Sequence, residues 1–220
     1  MPSTGPRSTE HASGEPLPVE LMNTIWADRA DIHDALDNAA EAEAWLAAAR
    51  DRIAREAETI DVPHVGKLAM GKSSTAVIGD LRQLRDALRR LAATATADPR
   101  QPAASMIADN AEAVRIVNQA CAQAPAWSEL TWSADNTVRR RTISAHSGAE
   151  VTLTKIAEQA ATLFSSPQRV DLRACQAPGC VRYFVRDHPR REWCSASCGN
   201  RARVARHYKR HHADLDGATQ

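Results

Sequence analysis

Four cysteines within 24 residues limit what the C-terminal part of this chain can fold into. Four residues separate Cys175 from Cys180, three separate Cys194 from Cys198, and thirteen lie between the two pairs. No second cysteine cluster is present to form disulfides with them, so the pattern indicates a metal site. Two close pairs at this separation are typical of zinc, and four thiolates leave no open coordination position. The sequence therefore predicts one structural Zn²⁺ bound by these four cysteines.

The module around the cysteines, residues 169–212, has too few apolar residues to fold without a metal. We expect residues 181–186 to form one strand of a hairpin that returns through Trp193, because the two cysteine pairs must converge. Four thiolates around one Zn²⁺ carry a net negative charge, which nearby arginines and backbone amides would offset. Gly179 and Gly199 are predicted to let backbone amides approach the sulfurs closely.

A rival set of ligands would combine the second cysteine pair with His207 and His211, which stand four residues apart on the predicted final helix. Only eight residues separate Cys198 from His207, fewer than the twelve or so that are usual in a finger of that type. The set would also leave the first cysteine pair unused, so the four-cysteine set is favoured. His188 is interpreted as a turn residue.

Charge is distributed unevenly along the chain. Its net charge is only +1, yet residues 169–212 contain eleven Lys and Arg against three acids, a net +8. The first 168 residues contain 17 bases and 22 acids, a net −5. A block this basic beside an acidic body indicates a segment that meets phosphate.

The predicted final helix, residues 195–212, carries much of this positive charge. No acid occurs from Ser195 to Ala213, whereas a merely solvated helix face usually mixes charges. Val204 and Tyr208 are expected to pack inward, one turn apart. The basic side chains are therefore predicted to contact nucleic acid. They are Arg201, Arg203, Arg206, Lys209 and Arg210.

Apolar periodicity predicts a helical domain before the cysteine module. Helices are expected at residues 38–59, from 74 onward, and at 103–123 and 149–164; residues 19–26 are a strand or the start of a helix. Two β-branched and aromatic runs, 127–133 and 137–144, predict a hairpin. The predicted fold class is α+β with mainly α content. Residues 19–166 are expected to form a helical domain with a hairpin. Residues 169–212 form a small treble-clef or zinc-ribbon-like module that ends in the basic helix, and residues 1–18 and 213–220 are expected to be disordered.

Several side chains are assigned to the core of the helical domain from their place in these patterns. Trp26 and Trp45 are taken as core residues, and Cys121 as a buried structural thiol. The helix at 103–123 is expected to bury one stripe of its surface. That stripe comprises Ile107, Ala111, Val114 and either Val117 or Cys121.

Residues 66–73, Gly-Lys-Leu-Ala-Met-Gly-Lys-Ser, formally match a phosphate-binding P-loop. That mechanism needs a buried parallel strand before the loop and a helix after it. What precedes Gly66 is a charged helical stretch followed by a segment that contains Pro63, so the required context is missing. Nucleotide hydrolysis is therefore disfavoured, although anion binding at the following helix N-terminus stays open.

The run from Trp193 to Arg201, with its Cys-Gly-Asn-Arg sequence, and the Ala-Arg-Val-Ala-Arg-His-Tyr that follows resemble the CGNR zinc-finger family. The preceding part resembles the ABATE domain, through Leu-Met-Asn-Thr at residues 21–24, Ala-Trp-Leu at 44–46 and Leu-Arg-Arg-Leu at 88–91. The resemblance implies bacterial stress-induced transcription regulators, with a finger that binds DNA and an N-terminal domain that senses or dimerises. The family's zinc ligands fall on the same four cysteines, and Arg201 is its named arginine. The loop at 60–74 is a departure from the family.

These observations predict a non-enzymatic, zinc-dependent transcription regulator that binds double-stranded DNA in the cytoplasm. An RNA-binding or protein-docking zinc ribbon is the alternative, and a P-loop nucleotide-binding protein is less favoured. A small-molecule effector and a homodimer are further expectations, with Asn23, Thr24 and Arg29 as pocket residues by family analogy. No apolar run is long enough to span a membrane. Residues 139–141, three consecutive arginines, are interpreted mainly as charge protecting an edge strand, with phosphate contact as the alternative.

Overall fold

The computed structural model describes residues 14–28, 31–56, 72–100 and 105–217. The elements form a helical domain with small hairpins, followed by a short module that ends in one long helix. Their bounds are α1 Leu17–Met22, β1 Ile25–Ala27, β2 Ile32–Asp34, α2 Ala39–Glu56, α3 Ser74–Ala95, α4 Asn110–Gln123, β3 Ala126–Trp132, β4 Val138–Ser144, α5 Gly148–Ser165, a 3-10 helix Pro167–Asp171, β5 Leu172–Ala174, β6 Tyr183–Val185 and α6 Ala196–Gly217. The predicted mainly α fold is confirmed.

Helix α3 lies at the centre of the helical domain and packs against α1, α2, α4 and α5. Its leucines recur every three or four residues, and Leu81, Leu84 and Leu88 are completely buried. Ser73 caps the helix by accepting a hydrogen bond from the Ala76 amide at 3.3 Å. This part of the chain folds as its periodicity predicts.

The strands form three separate two-stranded antiparallel sheets. Strands β1 and β2 pair Ile25 with Asp34, and β3 and β4 pair Ala126 with Ser144 in the predicted hairpin. Asn136 has a φ of 66° in the tight turn of that hairpin, a conformation that asparagine tolerates well. Within the described chain, no helix is long and apolar enough to cross a membrane.

The first correction concerns the N-terminal arm, which does not extend to residue 18. Helix α1 begins at Leu17, whose side chain is 2% exposed and belongs to the core. Glu15 is also buried, because it pairs with a residue of the cysteine module. The expectation of disorder is therefore wrong for residues 14–18, which polar composition alone placed in the arm; residues 1–13 lie outside the described part.

A second correction concerns α4, which begins at Asn110 and not near residue 103. Asp109 caps it by accepting from the Glu112 amide at 2.8 Å, and this cap starts the helix one turn or more later than its alanines suggested. Val114 and Ala111 lie on the exposed side. Val117 is buried as predicted, and the rest of the buried side consists of Ala113, Ile116 and Ala120.

Two more residues assigned to the core are only partly buried. Cys121 lies at the margin of the core, where burial raises the pKa of its thiol. Trp26 stacks on His33 with ring centroids 4.2 Å apart, because it belongs to the β1–β2 hairpin at the domain edge. Trp45 is buried as predicted.

The cysteine module packs directly onto the helical domain. Its strands β5 and β6 contact α3 and α1, and Leu172, Ala174 and Tyr183 are part of the helical domain's own core. A second, smaller apolar cluster consists of the four cysteines with Ala177, Phe184 and Trp193. The predicted hairpin is therefore wrong in its partner: β6 pairs with β5, which precedes the first cysteine, and not with the chain around Trp193.

Candidate metal centre

The four predicted ligands come together in one buried cluster. The sulfurs of Cys175, Cys180, Cys194 and Cys198 all lie within 4.8 Å of one another. Cys194 Sγ is 3.8 Å from Cys180 Sγ and 3.5 Å from Cys198 Sγ. A tetrahedron with Zn–S bonds of about 2.3 Å places its sulfurs about 3.8 Å apart. The cluster thus has the size that zinc requires, and the separations are far too long for disulfides.

The first cysteine pair sits on a tight turn, here called the first knuckle, residues 175–182. Gly179 has a φ of 71°, which a side chain would strain, and the Cys180 amide donates to the Ala177 carbonyl at 2.9 Å. The Arg182 amide points at Cys180 Sγ from 3.5 Å. A backbone amide, that of Arg182, therefore approaches a sulfur at the turn that contains Gly179, as predicted.

The second pair lies at the start of α6. Ser195 Oγ accepts from the Cys198 amide at 3.2 Å, which fixes the first turn of the helix. A Cβ added at Gly199 would lie 3.1 Å from Trp193 Cδ1. Gly199 is therefore needed for the indole to pack closely on the helix. Its own amide donates to the Ser195 carbonyl at 3.1 Å, and a role in letting backbone amides approach sulfur stays a prediction.

Arg201 lies beside the sulfurs. Its Nη2 donates to Cys198 Sγ at 3.0 Å. Burial opposes the charge on Arg201, but the hydrogen bond to Cys198 outweighs it and raises the pKa of the guanidinium. The predicted compensation of thiolate charge by a nearby arginine is present, and it comes from a residue that the sequence had assigned to nucleic acid.

Crowding of the thiols separates their pKa values. Contacts with Cys180 and Cys194 lower the pKa of Cys175 to about 7, and contacts with the other three lower that of Cys198. The same network raises the pKa of Cys180 and of Cys194. A divalent cation at the centre favours all four thiolates, because each then lies beside a double positive charge.

A polar network joins the first knuckle to the helical domain. Arg100 donates to the carbonyls of Cys175 and Cys180, each at 3.0 Å, while Asp98 holds its other nitrogens. Tyr183 donates its hydroxyl to Asp98 at 2.8 Å, and burial raises the pKa of Tyr183 to about 12. Burial opposes ionisation of Asp98, but its hydrogen bonds with Arg100 outweigh this and lower its pKa.

Local sequence patterns do not predict this network. Arg89 of α3 also reaches the first knuckle, where it donates to the Val181 carbonyl at 3.0 Å, and its burial beside the leucines of α3 could have been noticed from the helical periodicity. Asp98 and Arg100 follow the end of α3, where no periodicity applies.

A second contact between the two parts involves Glu15 and Arg191. Their side chains form an ion pair at 2.6 Å, and the Val185 amide donates to Glu15 at 2.9 Å. Burial raises the pKa of Glu15 despite the arginine. Arg191 also lies 5.0 Å from the centre of the Phe184 ring, so the pair covers the strand that leads into the metal cluster.

A cleft of about 620 Å³ opens between the β1–β2 hairpin and the first knuckle. The hairpin contributes Asp28, Asp31 and Ile32 to its wall, and the knuckle contributes Pro178 and Val181. This volume lies within the range of small-molecule sites.

Comparison with family models decides what kind of chain carries this centre. The model of ABATE, described as "Putative stress-induced transcription regulator", matches residues 15–167. The chain belongs to the ABATE family. A second model, the CGNR zinc finger, matches residues 172–211. Among curated proteins, none matches the chain. The suspected family is confirmed: an ABATE domain precedes a CGNR finger, and the four cysteines of the finger can bind one zinc ion.

The basic residues predicted to bind nucleic acid lie on the CGNR finger's helix α6, which runs to Gly217 and not only to residue 212. Arg203, Arg206 and Arg210 are exposed. The backbone of Lys209 belongs to the helix, but its side chain lies outside the described part. The expected inward packing is wrong: Val204 is 54% and Tyr208 62% exposed. Beyond Ala202, which is buried, the helix extends past the finger's small apolar cluster.

Two of the residues predicted to line a pocket of the ABATE domain have structural partners instead. Asn23 makes two hydrogen bonds of 2.8 Å with the backbone of Tyr183, one from Nδ2 to its carbonyl and one from its amide to Oδ1. Thr24 is buried and donates to the Leu21 carbonyl at 2.8 Å. Arg29 lies outside the described residues. Asn23 therefore joins the ABATE domain to the finger, and the cleft lies elsewhere.

The P-loop-like segment is described only from Lys72. Lys72 Nζ forms an ion pair with Asp80 at 2.5 Å, and Ser73 is the cap of α3. In this arrangement the lysine that would grip a phosphate is held by a carboxylate. Residues 66–71 of the motif lie outside the described part.

The run of three arginines lies on β4 of the β3–β4 hairpin. Arg139 of this run pairs with Asp135 at 2.7 Å within the hairpin.

Proposed function

We propose that this ABATE-family chain is a zinc-dependent transcription regulator that binds double-stranded DNA through the exposed face of α6. The observation that carries the proposal is a basic helix surface, without acids from Ser195 to Ala213, that begins inside the metal cluster. On an α-helix Arg203, Arg206 and Arg210 fall on one exposed side, about a quarter turn round the helix from the side that contains Cys198 and buried Ala202. Zinc would fix the side with the cysteine and leave the adjacent side for phosphates and base edges.

The chemistry of these side chains fits nucleic acid in two ways. Guanidinium groups make paired hydrogen bonds with phosphate oxygens and with guanine edges in the major groove. Three arginines along two turns would supply backbone contacts, and one or two of them could also read bases. An α-helix fits the width of the DNA major groove. A protein site on the same helix would be expected to show mixed charges or a larger apolar area.

Fluorescence anisotropy with labelled duplexes tests the proposal, using DNA from upstream of the chain's own gene and a scrambled duplex. We expect affinity to fall steeply with salt, and Arg206→Ala/Arg210→Ala to weaken binding and to reduce the salt slope by about 2. The control is Arg50→Ala/Arg115→Ala, which removes the same charge from exposed positions of the ABATE domain. It should leave binding almost unchanged.

Two results would contradict duplex binding. One is tight, salt-sensitive binding of structured RNA with none of duplex DNA. The other is equal loss of DNA affinity in the control, which would mean that net charge alone, and not the face of α6, attracts DNA. A zinc-dependent protein partner in place of nucleic acid would support the docking alternative.

We further propose that the ABATE domain senses a small effector in the cleft beside the first knuckle, since this is the place where a ligand would touch both domains. Thermal unfolding with a panel of small metabolites should identify compounds that stabilise the protein. Ala27→Trp, which fills the cleft with an indole, should abolish the shift. A stabilising compound that acts equally on this variant binds elsewhere.

The proposed function also includes dimerisation of the chain. Sedimentation velocity across a concentration series measures it.

The expectation that the chain is not an enzyme stays a prediction, supported by the ion pair of Lys72 with Asp80. ATP turnover by the purified protein that is lost in Lys72→Ala would overturn it. A role in the stress response is likewise part of the proposal, supported by the family description. A bacterial, cytoplasmic setting stays a prediction.

A further inference from the structure

The carbonyl groups of Cys175, Cys180, Val181 and Arg182 in the first knuckle face the ABATE domain and accept hydrogen bonds from it. The Arg182 amide, in contrast, points toward Cys180 Sγ. A carbonyl removed from water needs a donor, and leaving it without one costs about 1–3 kcal/mol. The Cys175 amide serves the Arg182 carbonyl from within the knuckle at 3.0 Å, whereas the donors to the Cys180 and Val181 carbonyls come from the ABATE domain.

Arg100 supplies most of them. Its Nη1 lies 3.0 Å from the carbonyl oxygens of Cys175 and Cys180 and 3.2 Å from that of Arg182. One nitrogen therefore connects the backbones of both zinc ligands of the knuckle. Nε and Nη2 bind the two oxygens of Asp98 at 2.7 and 2.6 Å, and the side chain of Asp98 is fully buried. The carboxylate of Asp98, in the same domain, thus fixes one edge of the guanidinium while Nη1 binds the carbonyls of the first knuckle.

Arg89 completes the pattern from α3. Its Nη2 donates to the Val181 carbonyl at 3.0 Å and its Nη1 to the Met22 carbonyl at 2.7 Å. The consecutive carbonyls 180, 181 and 182 therefore all accept from arginines of the ABATE domain. The Tyr183 ring lies between the two guanidiniums, 5.3 Å from Arg89 and 5.0 Å from Arg100.

We propose that Arg100 is a positioning residue for the metal centre, holding Cys175 and Cys180 in place so that zinc affinity depends on the ABATE domain. Ligand groups that are already oriented lose less entropy when the ion binds, and partners one shell out typically change metal affinity by about 10- to 100-fold. Coupling between two equilibria is reciprocal, so loss of zinc must also loosen the ABATE domain. The inference goes beyond the proposed function and holds whether or not the protein binds DNA.

The first test measures zinc dissociation constants of the full chain by competition with a chromophoric chelator under reducing conditions. Arg100→Gln should bind zinc roughly 10- to 100-fold more weakly. Arg100→Lys should lie in between, because an ammonium can serve a carbonyl but cannot span the knuckle and Asp98 as a guanidinium does. The control is Arg115→Gln on the exposed side of α4, whose zinc affinity should equal that of the wild type.

Hydrogen exchange of the zinc-saturated variants separates positioning from general damage. The inference requires that α4 and α5 of Arg100→Gln exchange as in the wild type while zinc affinity falls. A variant that is equally protected and binds zinc as tightly as the wild type overturns it. If α4 and α5 of the variant lose protection, the substitution has damaged the fold in general. The wild-type measurement that follows, which needs no substitution, then decides whether the coupling exists.

In the wild-type chain, zinc is removed with a chelator under reducing conditions and amide exchange is compared with that of the loaded protein. We expect faster exchange in α1 and in the second half of α3, which carry Met22 and Arg89, as well as in the finger. Acceleration confined to residues 172–211 would show that the ABATE domain does not respond to the metal, and would overturn the coupling.

Discussion

At the scale of single residues, Arg201 belongs to the metal centre more directly than to an outer surface. Its Nη2 contacts Cys198 Sγ at 3.0 Å, so it offsets thiolate charge that the zinc ion alone leaves. Arg201→Ala should therefore lower zinc affinity by about tenfold. Arg203→Ala, two residues along on the exposed face, should not change it; chelator competition measures both. If Arg201 contacts DNA instead, as its sequence context suggested, the variant would lose DNA affinity at saturating zinc with unchanged metal binding.

Gly179 and Gly79 allow the effect of a left-handed backbone conformation on stability to be measured, because only the first has a positive φ. Gly179 has a φ of 71° and nothing within 4 Å of an added Cβ, so Gly179→Ala meets only backbone strain. The free energy of unfolding of the zinc-loaded protein should fall by about 1–2 kcal/mol. Gly79 is exposed in the second turn of α3, and Gly79→Ala should raise the free energy of unfolding by up to about 1 kcal/mol. Urea unfolding measures both; equal effects of the two substitutions would show that the left-handed turn is not what requires Gly179.

At the scale of the element, the start of α5 depends on an ionised carboxylate. Glu150 is 4% exposed, and one of its oxygens accepts from the Ser147 amide at 3.0 Å and from the Ser147 hydroxyl at 2.8 Å. Ser147 Oγ in turn accepts from the Glu150 amide, which completes a capping box. Burial opposes the charge, but these hydrogen bonds outweigh it and lower the pKa of Glu150 from its ordinary value of 4.5.

This shift predicts how stability depends on pH. Because the folded pKa is depressed, the contribution of Glu150 is present above about pH 4.5 and is lost as pH falls through the folded pKa. Glu150→Gln should cost about 1 kcal/mol at pH 7 and progressively less below pH 4.5. Thermal unfolding of both proteins from pH 3 to 7 checks this. A gap between them that stays constant over this range would show that the charge is unimportant.

At the scale of the whole molecule, the contact between the ABATE domain and the CGNR finger is a continuation of the core. Tyr183, Leu172 and Ala174 of the finger belong to the apolar cluster of the ABATE domain. We therefore expect one unfolding transition for the zinc-loaded protein, with far-UV circular dichroism and tryptophan fluorescence changing together. Tyr183→Ala should lower the free energy of unfolding by about 3–5 kcal/mol. A finger that unfolds first, while the helical signal stays, would show two independent domains.

The amino-acid sequence by itself determined the features that depend on neighbours along the chain. The spacing of the cysteines predicted all four members of the sulfur cluster, because each pair needs only a local turn. Helix α3, with its periodic leucines, and the hairpin at 126–144 were predicted for the same reason: both depend on residues close together in the chain. Periodicity was less decisive for α4, where small alanines on several sides made more than one buried face possible.

Only the tertiary structure decided how the metal centre is joined to the ABATE domain. Arg100 and Cys175 are 75 residues apart, and Asn23 and Tyr183 are 160 apart. Such contacts depend on which faces of distant elements meet. Arg100 binds backbone carbonyls, which every residue has, so the side chains of the first knuckle do not reveal the contact. The same holds for Val204 and Tyr208, whose helical spacing predicted burial although α6 extends beyond anything in the finger that could cover them. Local spacing selects the metal, whereas burial of polar groups between distant segments decides what holds its ligands in place.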